Sequence, residues 1–368
     1  MRIQDKNKVK DYFEEQVFNN VELNIKELYD KKIRLESYPI RVYVEPTQRC
    51  NLQCVMCDRS KSSDNADMSM ALFRKIESEL FNKVAEVDFF LYGEPFLSRN
   101  FLEMLKTSFN YKFTPKVFTN LTIMNQEIAE VLVKTGAFVN ISIDAVNPNL
   151  YNKMRVGAKF ENVKQNLKFL IETQNKIQNP KFHIRISSTM GAYNIHEAPK
   201  IVEFAKEMGV SEVQFGAMDF GLKSTVHLTT DSEKAVFYLK LARKIADNSK
   251  IRFSCPKRIG KLIITSNHNW EDFSLAVDNF WLFEVEAFNP FNSDCGYPWI
   301  QTVVRANGDV VSCCQRHNVM GNLNENTFKE IWNGEKYLKL RSQNDFSNCY
   351  GQKCNMCHYS IWPYQIKR

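Results

Sequence analysis

No stretch of this 368-residue sequence approaches the ~18 consecutive apolar residues that a membrane span needs. The opening run MRIQDKNKVKDYFEEQ carries charges throughout, where a secretion signal needs an apolar core. Both lacks set aside a membrane partner and point to a cytoplasmic protein. A block of one charge sign is missing too: 49 basic and 42 acidic residues leave a net charge of +7, dispersed along the chain, so nucleic acid is not indicated as a partner. The composition of a disordered chain is also absent, because 44% of the residues are hydrophobic and 25% charged. That is enough for a large core, expected as one main domain with a smaller appendage. Ten cysteines in such a chain argue for metal binding or catalysis and against a disulfide framework.

From residue 39 onward, short β-branched apolar runs alternate with longer segments of helical period, the pattern of βα units around a parallel sheet. The expected strands are 40–44, 87–92, 116–119, 138–143, 183–188 and 212–215. Helices are expected near 69–82, 99–110, 125–135, 160–174, 196–208 and 232–248. Six such strands in right-handed succession make an α/β fold, a partial (β/α)6 barrel open at one side. The expected organisation is an N-terminal helical extension (1–38), too short for a separate peptide-binding domain, a core (39–220), a bridging segment (221–294) and a small cysteine-rich α+β domain (295–368).

Cys50, Cys54 and Cys57 stand at C-x3-C-x2-C spacing directly after the first expected strand. An iron-sulfur cube normally takes four thiolates, so three on one short loop either borrow a ligand from elsewhere or leave an iron open to a small molecule. By spacing alone, a zinc knuckle or three buried thiols would fit as well. In parallel α/β folds ligands gather at the carboxyl ends of strands, which is where this loop lies.

The trio resembles the cluster motif of the radical SAM superfamily, in which the open iron of a 4Fe-4S cluster binds S-adenosyl-L-methionine (SAM). Reductive cleavage of SAM then yields a 5'-deoxyadenosyl radical. The resemblance covers roughly residues 39–220 and extends to the later strand ends. Tyr92-Gly93-Glu94-Pro95 looks like the family's GGEP segment with Tyr92 in place of the first Gly. The resemblance implies that the Glu94 carboxylate accepts from the methionyl ammonium. Asn120, in Thr-Asn-Leu, is similar to a TNG motif. Ser142 and Asp144 would meet the cofactor's carboxylate or ribose, Arg155 would pair with the methionyl carboxylate, and Ser188 would touch the adenosine.

Toward the C-terminus, Cys295-x12-Gly308-x4-Cys313 is followed by Cys354-x2-Cys357. Ala306-Asn-Gly-Asp309 reads as a hairpin turn that brings Cys295 toward Cys313. A zinc ribbon would use the same four thiolates. The spacing resembles the twitch domain and its larger relative, the SPASM domain, which implies one auxiliary 4Fe-4S cluster on Cys295, Cys313, Cys354 and Cys357. Cys314 and Cys349 remain as alternative ligands. The layout is similar to enzymes that oxidise or epimerise carbohydrate-like small molecules, with a flavodoxin- or ferredoxin-type electron donor. Cys314 or Cys255 would be the hydrogen donor of an epimerase, against the plainer reading of an extra ligand or a buried thiol. A maturase acting on a ribosomal peptide or protein is the alternative, and a non-catalytic zinc-binding interaction protein a third.

Overall fold

Each apolar period resolves into the element it favours. The computed structural model describes residues 13–57, 65–218, 228–255, 258–259, 262–263, 296–314 and 318–342. A first helix, α1 (Glu15–Tyr29), precedes β1 (Arg41–Val44), the two-residue β2 (Gln53–Cys54), α2 (Met70–Ile76) and β3 (Glu86–Phe89). Then follow α3 (Phe101–Lys106), β4 (Pro115–Thr119), α4 (Gln126–Lys134), β5 (Phe138–Ser142), α5 (Pro148–Met154), β6 (Arg155–Val156) and α6 (Phe160–Ile177). The alternation continues through β7 (His183–Met190), α7 (Ala198–Met208), β8 (Glu212–Ala217), α8 (Ser232–Asn248) and β9 (Arg252–Ser254). A two-stranded antiparallel pair, β10 (Arg258–Ile259) and β11 (Leu262–Ile263), comes next. The cysteine-rich segment supplies α9 (Tyr297–Ile300), β12 (Gln301–Val304), β13 (Asp309–Val311), β14 (Val319–Asn322), α10 (Phe328–Trp332) and α11 (Glu335–Ser342).

Side-chain oxygens start the helices where short polar residues stand: Asn125, Asn147 and Asp231 accept from the N–H groups of Ile128, Leu150 and Lys234. One expected helix changes its winding. Residues 69–82 are α-helical only to Ile76 and pass into a π-helical turn over Glu77–Phe81, which buries Leu80 and Phe81.

The main sheet runs β14-β13-β12-β1-β3-β4-β5-β7-β8-β9 and is parallel from β12 to β9. It is an open, partly rolled sheet and not a closed barrel. Two features were not anticipated. β9 prolongs the parallel sheet into the segment taken as a bridge, pairing Gln214 with Ser254. The cysteine-rich segment is no detached appendage, because β12 lies parallel to β1 in the register Arg41↔Gln301 through Val44↔Val304.

The two faces of this sheet differ in chemistry because side chains alternate along a strand. Val42, Val87, Val117, Val139, Ile186 and Val213 point to the helices and share one buried core with them. The other parity carries Arg41, Tyr43, Glu86, Asp88, Lys116, Asn140, Arg185 and Glu212 on the inner face. The N-terminal helix clasps the two halves: buried Asn24 donates to Ser37 Oγ (3.0 Å), Tyr38 O (3.0 Å) and Trp299 O (2.7 Å). Among the described residues no helix is long and apolar enough to cross a membrane.

Candidate active site at the cysteine loop

The loop after β1 is fastened from three sides. Arg49 forks onto Asp67 (Nε to Oδ1 3.0 Å, Nη2 to Oδ2 2.6 Å) and also reaches Leu97 O at 2.7 Å. The backbone of Gly93 lies against that of Thr47 so closely that a Cβ there would stand 2.0 Å from Thr47 O, and Glu94 N donates to Arg49 O (2.8 Å). Only glycine permits this approach. On the far side β2 pairs antiparallel with β6 (Cys54↔Arg155), and Val55 N donates to Met154 O at 2.9 Å. The result is a rigid loop with Cys50 and Cys54 half-buried, Cys57 exposed, and all three thiols free of disulfides.

The later strand ends converge on this loop. Asn120 Nδ2 donates to Asn51 Oδ1 (3.0 Å) and lies 3.8 Å from Cys50 Sγ, while Arg155 Nη1 lies 3.9 Å from Cys54 Sγ. Arg155 Nε also donates to Asp144 Oδ2 at 2.6 Å in a buried ion pair, and Asp144 Oδ1 accepts from Thr189 N (2.7 Å). Burial raises the Cys54 thiol to about 11, with Arg155 acting in the opposite direction. Leu121, where a TNG motif has glycine, takes the left-handed φ of +56° and is fully buried, so its packing offsets the backbone strain.

Other expected residues fall in places that sharpen their roles. Ser142 shares the inner-face parity of Asn140. Ser188 has the opposite parity, that of Ile186 and Met190, and its hydroxyl donates to Ile143 O on β5. The Glu94 carboxylate is buried, with Oε1 accepting from Thr119 Oγ1 (2.7 Å) and Oε2 from Asn120 N (2.8 Å). In this arrangement it braces the end of β4, which in turn aims Asn120 at Cys50. Burial pushes this carboxyl up to about 7, against the hydrogen bonds from Asn120 and Thr119.

That shift has a sign. Between the unfolded value near ~4.3 and about 7 the folded chain holds a proton the unfolded chain has lost, so Glu94's contribution to stability falls as pH rises through this window and is flat above it. Glu94→Gln is expected to remove that slope. Urea unfolding midpoints of the two proteins, compared from pH 5 to 8, check it: curves that stay parallel refute the assignment.

Glu45, at the end of β1, carried no motif and was missed. It is fully buried; Oε1 accepts from Tyr92 N (3.3 Å) and Oε2 from Ala306 N (3.1 Å), so one carboxylate joins the Tyr92-Gly93 segment to the β12–β13 turn. A Glu directly after a strand end is the signal sequence reading had available. In that turn Gly308 has φ +92°, and a Cβ would stand 2.3 Å from Asn324 Nδ2. Cys313 is buried just past β13, and Cys314 acts electrostatically on Tyr43 of the inner face. Cys295, Cys349, Cys354 and Cys357 lie outside the described residues. Cys255 follows β9 with the parity of Phe253, packs against the helix-side core, and has Arg243 of α8 as its charged neighbour; burial pushes its thiol up to about 12. The structure therefore does not bring Cys255 to the inner face, where the hydrogen donor of an epimerase would have to stand.

Three thiols on one pinned loop at the carboxyl ends of parallel strands, with amide and guanidinium N–H groups beside two of the sulfurs, are the ligand set that an iron-sulfur cluster with one open iron would take. The donor set fits the cluster: soft sulfur ligands, and polar N–H groups of the kind that tune cluster sulfurs. The chain carries a radical SAM domain: it matches the Radical SAM superfamily over residues 44–178 and an iron-sulfur cluster-binding domain (SPASM) over residues 295–358. These domains carry 4Fe-4S clusters and bind SAM. Over 174 residues the chain is 27% identical to the tungsten-containing aldehyde ferredoxin oxidoreductase cofactor-modifying protein of Pyrococcus furiosus (46% of this chain, 49% of that one). It therefore spans about half the length of that relative. Over 339 residues it is 22% identical to the AdoMet-dependent heme synthase of Methanosarcina barkeri (89% of this chain, 90% of that one). In fold it is similar to Streptococcus suis SuiB bound to S-adenosylmethionine, with a TM-score of 0.62 at 16% identity, covering 88% of this chain and 72% of that one.

Proposed function

We propose that this enzyme oxidises a hydroxyl-bearing, carbohydrate-like small molecule held on the inner face of the sheet. When bound, SAM would supply the radical chemistry that removes a hydrogen atom from carbon. Cys50, Cys54 and Cys57 hold the cluster, with Asn120 and Arg155 beside its sulfurs. Ser142, at the end of β5, stands on the inner face, and Asp144, two residues further on, holds Arg155 in place.

One observation carries the choice of substrate. Ser142, Ser187, Gln214 and Ser254 stand in a single row across β5, β7, β8 and β9, paired Ser142↔Ser187, Ser187↔Gln214 and Gln214↔Ser254. All four share the inner parity, Ser142 and Ser254 at the carboxyl ends of their strands and Ser187 and Gln214 in mid-strand. Three hydroxyls and one carboxamide at one level match a ligand rich in hydroxyl groups better than an apolar one. The two curated relatives reported above are named for work on a heme and a cofactor, neither of them a peptide. Oxidation is preferred to epimerisation because Cys255 lies on the helix side and because an auxiliary 4Fe-4S cluster, to which Cys313 is an expected ligand, would take the electron that the substrate radical gives up along with a proton. The single electron that SAM cleavage needs would come from a flavodoxin- or ferredoxin-type donor.

The test is anaerobic incubation of the reconstituted protein with SAM and dithionite, adding either polyols and aminosugars or a panel of peptides, and measuring 5'-deoxyadenosine. Stimulation by the small molecules, with a product two hydrogens lighter, is expected. Stimulation by peptides alone would overturn the reading in favour of a maturase, and zinc without sulfide in the purified protein would end both.

A further inference from the structure

One level below the hydroxyl row, toward the amino ends of the strands, lies an ionic row. Asn140 of β5, Arg185 of β7, Glu212 of β8 and Arg252 of β9 are register partners in that order. Arg185 is held at one edge: Nε donates to Asn140 Oδ1 at 2.7 Å, and its guanidinium lies 4.7 Å from the centroid of the Phe138 ring. Its contact with Glu212 is long, 3.5 Å from Nη1 to Oε1. Glu212 is shared, since His183 Nε2 stands 2.7 Å from Oε2 and Arg252 Nη1 stands 3.9 Å from the same oxygen. Although it is a mid-sheet residue, Arg185 keeps 15% of its side-chain surface accessible.

Charge on the inner face is unbalanced. Among the described residues Arg41, Lys116, Arg185 and Arg252 are cations, facing the carboxylates Glu86 and Glu212. Glu86 is engaged by Arg41 (2.8 Å) and by Lys116. The third acid, Asp88, is 3% exposed; burial and then the adjacent Glu86 push its carboxyl well above the ordinary range, which disfavours its charged form. Asp88 Oδ1 is buried with no hydrogen-bond partner, and Asp88 lies near enough to Arg185 to act on its charge. A buried polar atom without a partner is costly, as is a buried excess of positive charge.

We infer that this floor receives an acidic group of the substrate, a carboxylate, which pairs with Arg185. Arg185 is the residue that discriminates, with Asn140 positioning it and Glu212 setting its charge environment. The inference deepens the proposed function and rests on its placing of the substrate: the hydroxyl row above and the carboxylate site below describe an acidic polyol.

Isothermal titration of the anaerobic holoenzyme with gluconate, and with sorbitol as its neutral counterpart, at matched ionic strength reads this directly. Wild-type protein is expected to bind gluconate at least ~10-fold more tightly than sorbitol, the scale of a charge-assisted hydrogen-bonded pair. Arg185→Gln should abolish the preference, and Arg185→Lys, which keeps the charge but loses the fork, should retain part of it. Both variants are first shown to match the wild type in iron content and circular dichroism; if Arg185→Gln does not fold, Asn140→Ala, which frees the guanidinium from its 2.7 Å anchor and is expected to narrow the preference, decides. Equal or absent binding of the two probes by the wild type overturns the inference, as does a preference that survives in Arg185→Gln. Cleavage of SAM by the same wild-type preparation is scored separately. A gluconate preference without 5'-deoxyadenosine would sink the proposed reaction and leave the anion site standing, and the reverse result would do the opposite.

Discussion

Cys54→Ala protein, purified without oxygen and reconstituted with iron and sulfide, is expected to lose the SAM-binding cluster and with it all measurable SAM cleavage. Cys54 is the thiol of the trio held on both sides. The β2–β6 pairing fixes its backbone, and Arg155 Nη1 lies 3.9 Å from its sulfur. With Cys54 gone, Cys50 and Cys57 remain as two ligands seven residues apart, one half-buried and one exposed, which is too few to hold a cube with one iron already open. Changing an outer-shell partner of a metal ligand typically costs ~10–100-fold in affinity or activity; loss of the ligand itself should exceed that. Iron and acid-labile sulfide counts against wild type, together with 5'-deoxyadenosine by chromatography, check it. A variant that keeps its full cluster content would show that the trio is not the ligand set.

Arg155→Met is the second large effect, and it divides into two measurable parts. Nε of Arg155 is 2.6 Å from Asp144 Oδ2, and the Asp144 side chain has no exposed surface, so removing the cation strands a buried carboxylate. Such a break costs ~3–5 kcal/mol, whereas replacing both partners with apolar residues can be near neutral. Arg155→Met alone should therefore lower stability by about that amount, and Arg155→Met with Asp144→Leu should recover much of it, as anaerobic urea titrations would record. The second part is redox. Loss of a polar N–H beside a cluster sulfur should shift the reduction potential to a more negative value, which a spectroscopic titration reads. Arg155→Lys is not a conservative control, because a point charge cannot reach Asp144 and Cys54 in one fork. An unchanged potential would confine Arg155 to holding β5.

Much of this was legible in the sequence, for physical reasons that also explain the gaps. The core strands read correctly because both the helix-facing parity and the βα alternation are strong local signals, and α8 was bounded by the Asp231 cap at its start. The cysteine loop is legible because cluster chemistry fixes its spacing, and the radical SAM match over residues 44–178 takes in all three thiols. The pairing of β12 with β1 did not, since a short apolar run carries no mark of which edge it will join. Ser188 shows how narrow parity is: one residue to either side, Ser187 and Thr189 face inward, while Ser188 bonds the carbonyl of Ile143. Cys255 failed in the same manner, falling on the helix side by one position. Glu45 and the ionic row of Arg185 and Glu212 were invisible because their partners come from strands far apart in the chain, and only register puts them at one level.

The joining of β12 to β1 also governs the order in which the chain can become itself. Glu45 and Ala306, which share a hydrogen bond, are 261 residues apart in sequence. On the ribosome β1 and the cysteine loop emerge early, yet one flank of β1 stays bare until almost the whole core has been made. Contacts of such long range are slow to close, and an unpaired strand edge in the meantime is an aggregation hazard. Until β12 arrives, the loop that must receive the first cluster hangs from a strand paired on one side alone. Cluster insertion and final folding are thereby coupled in time.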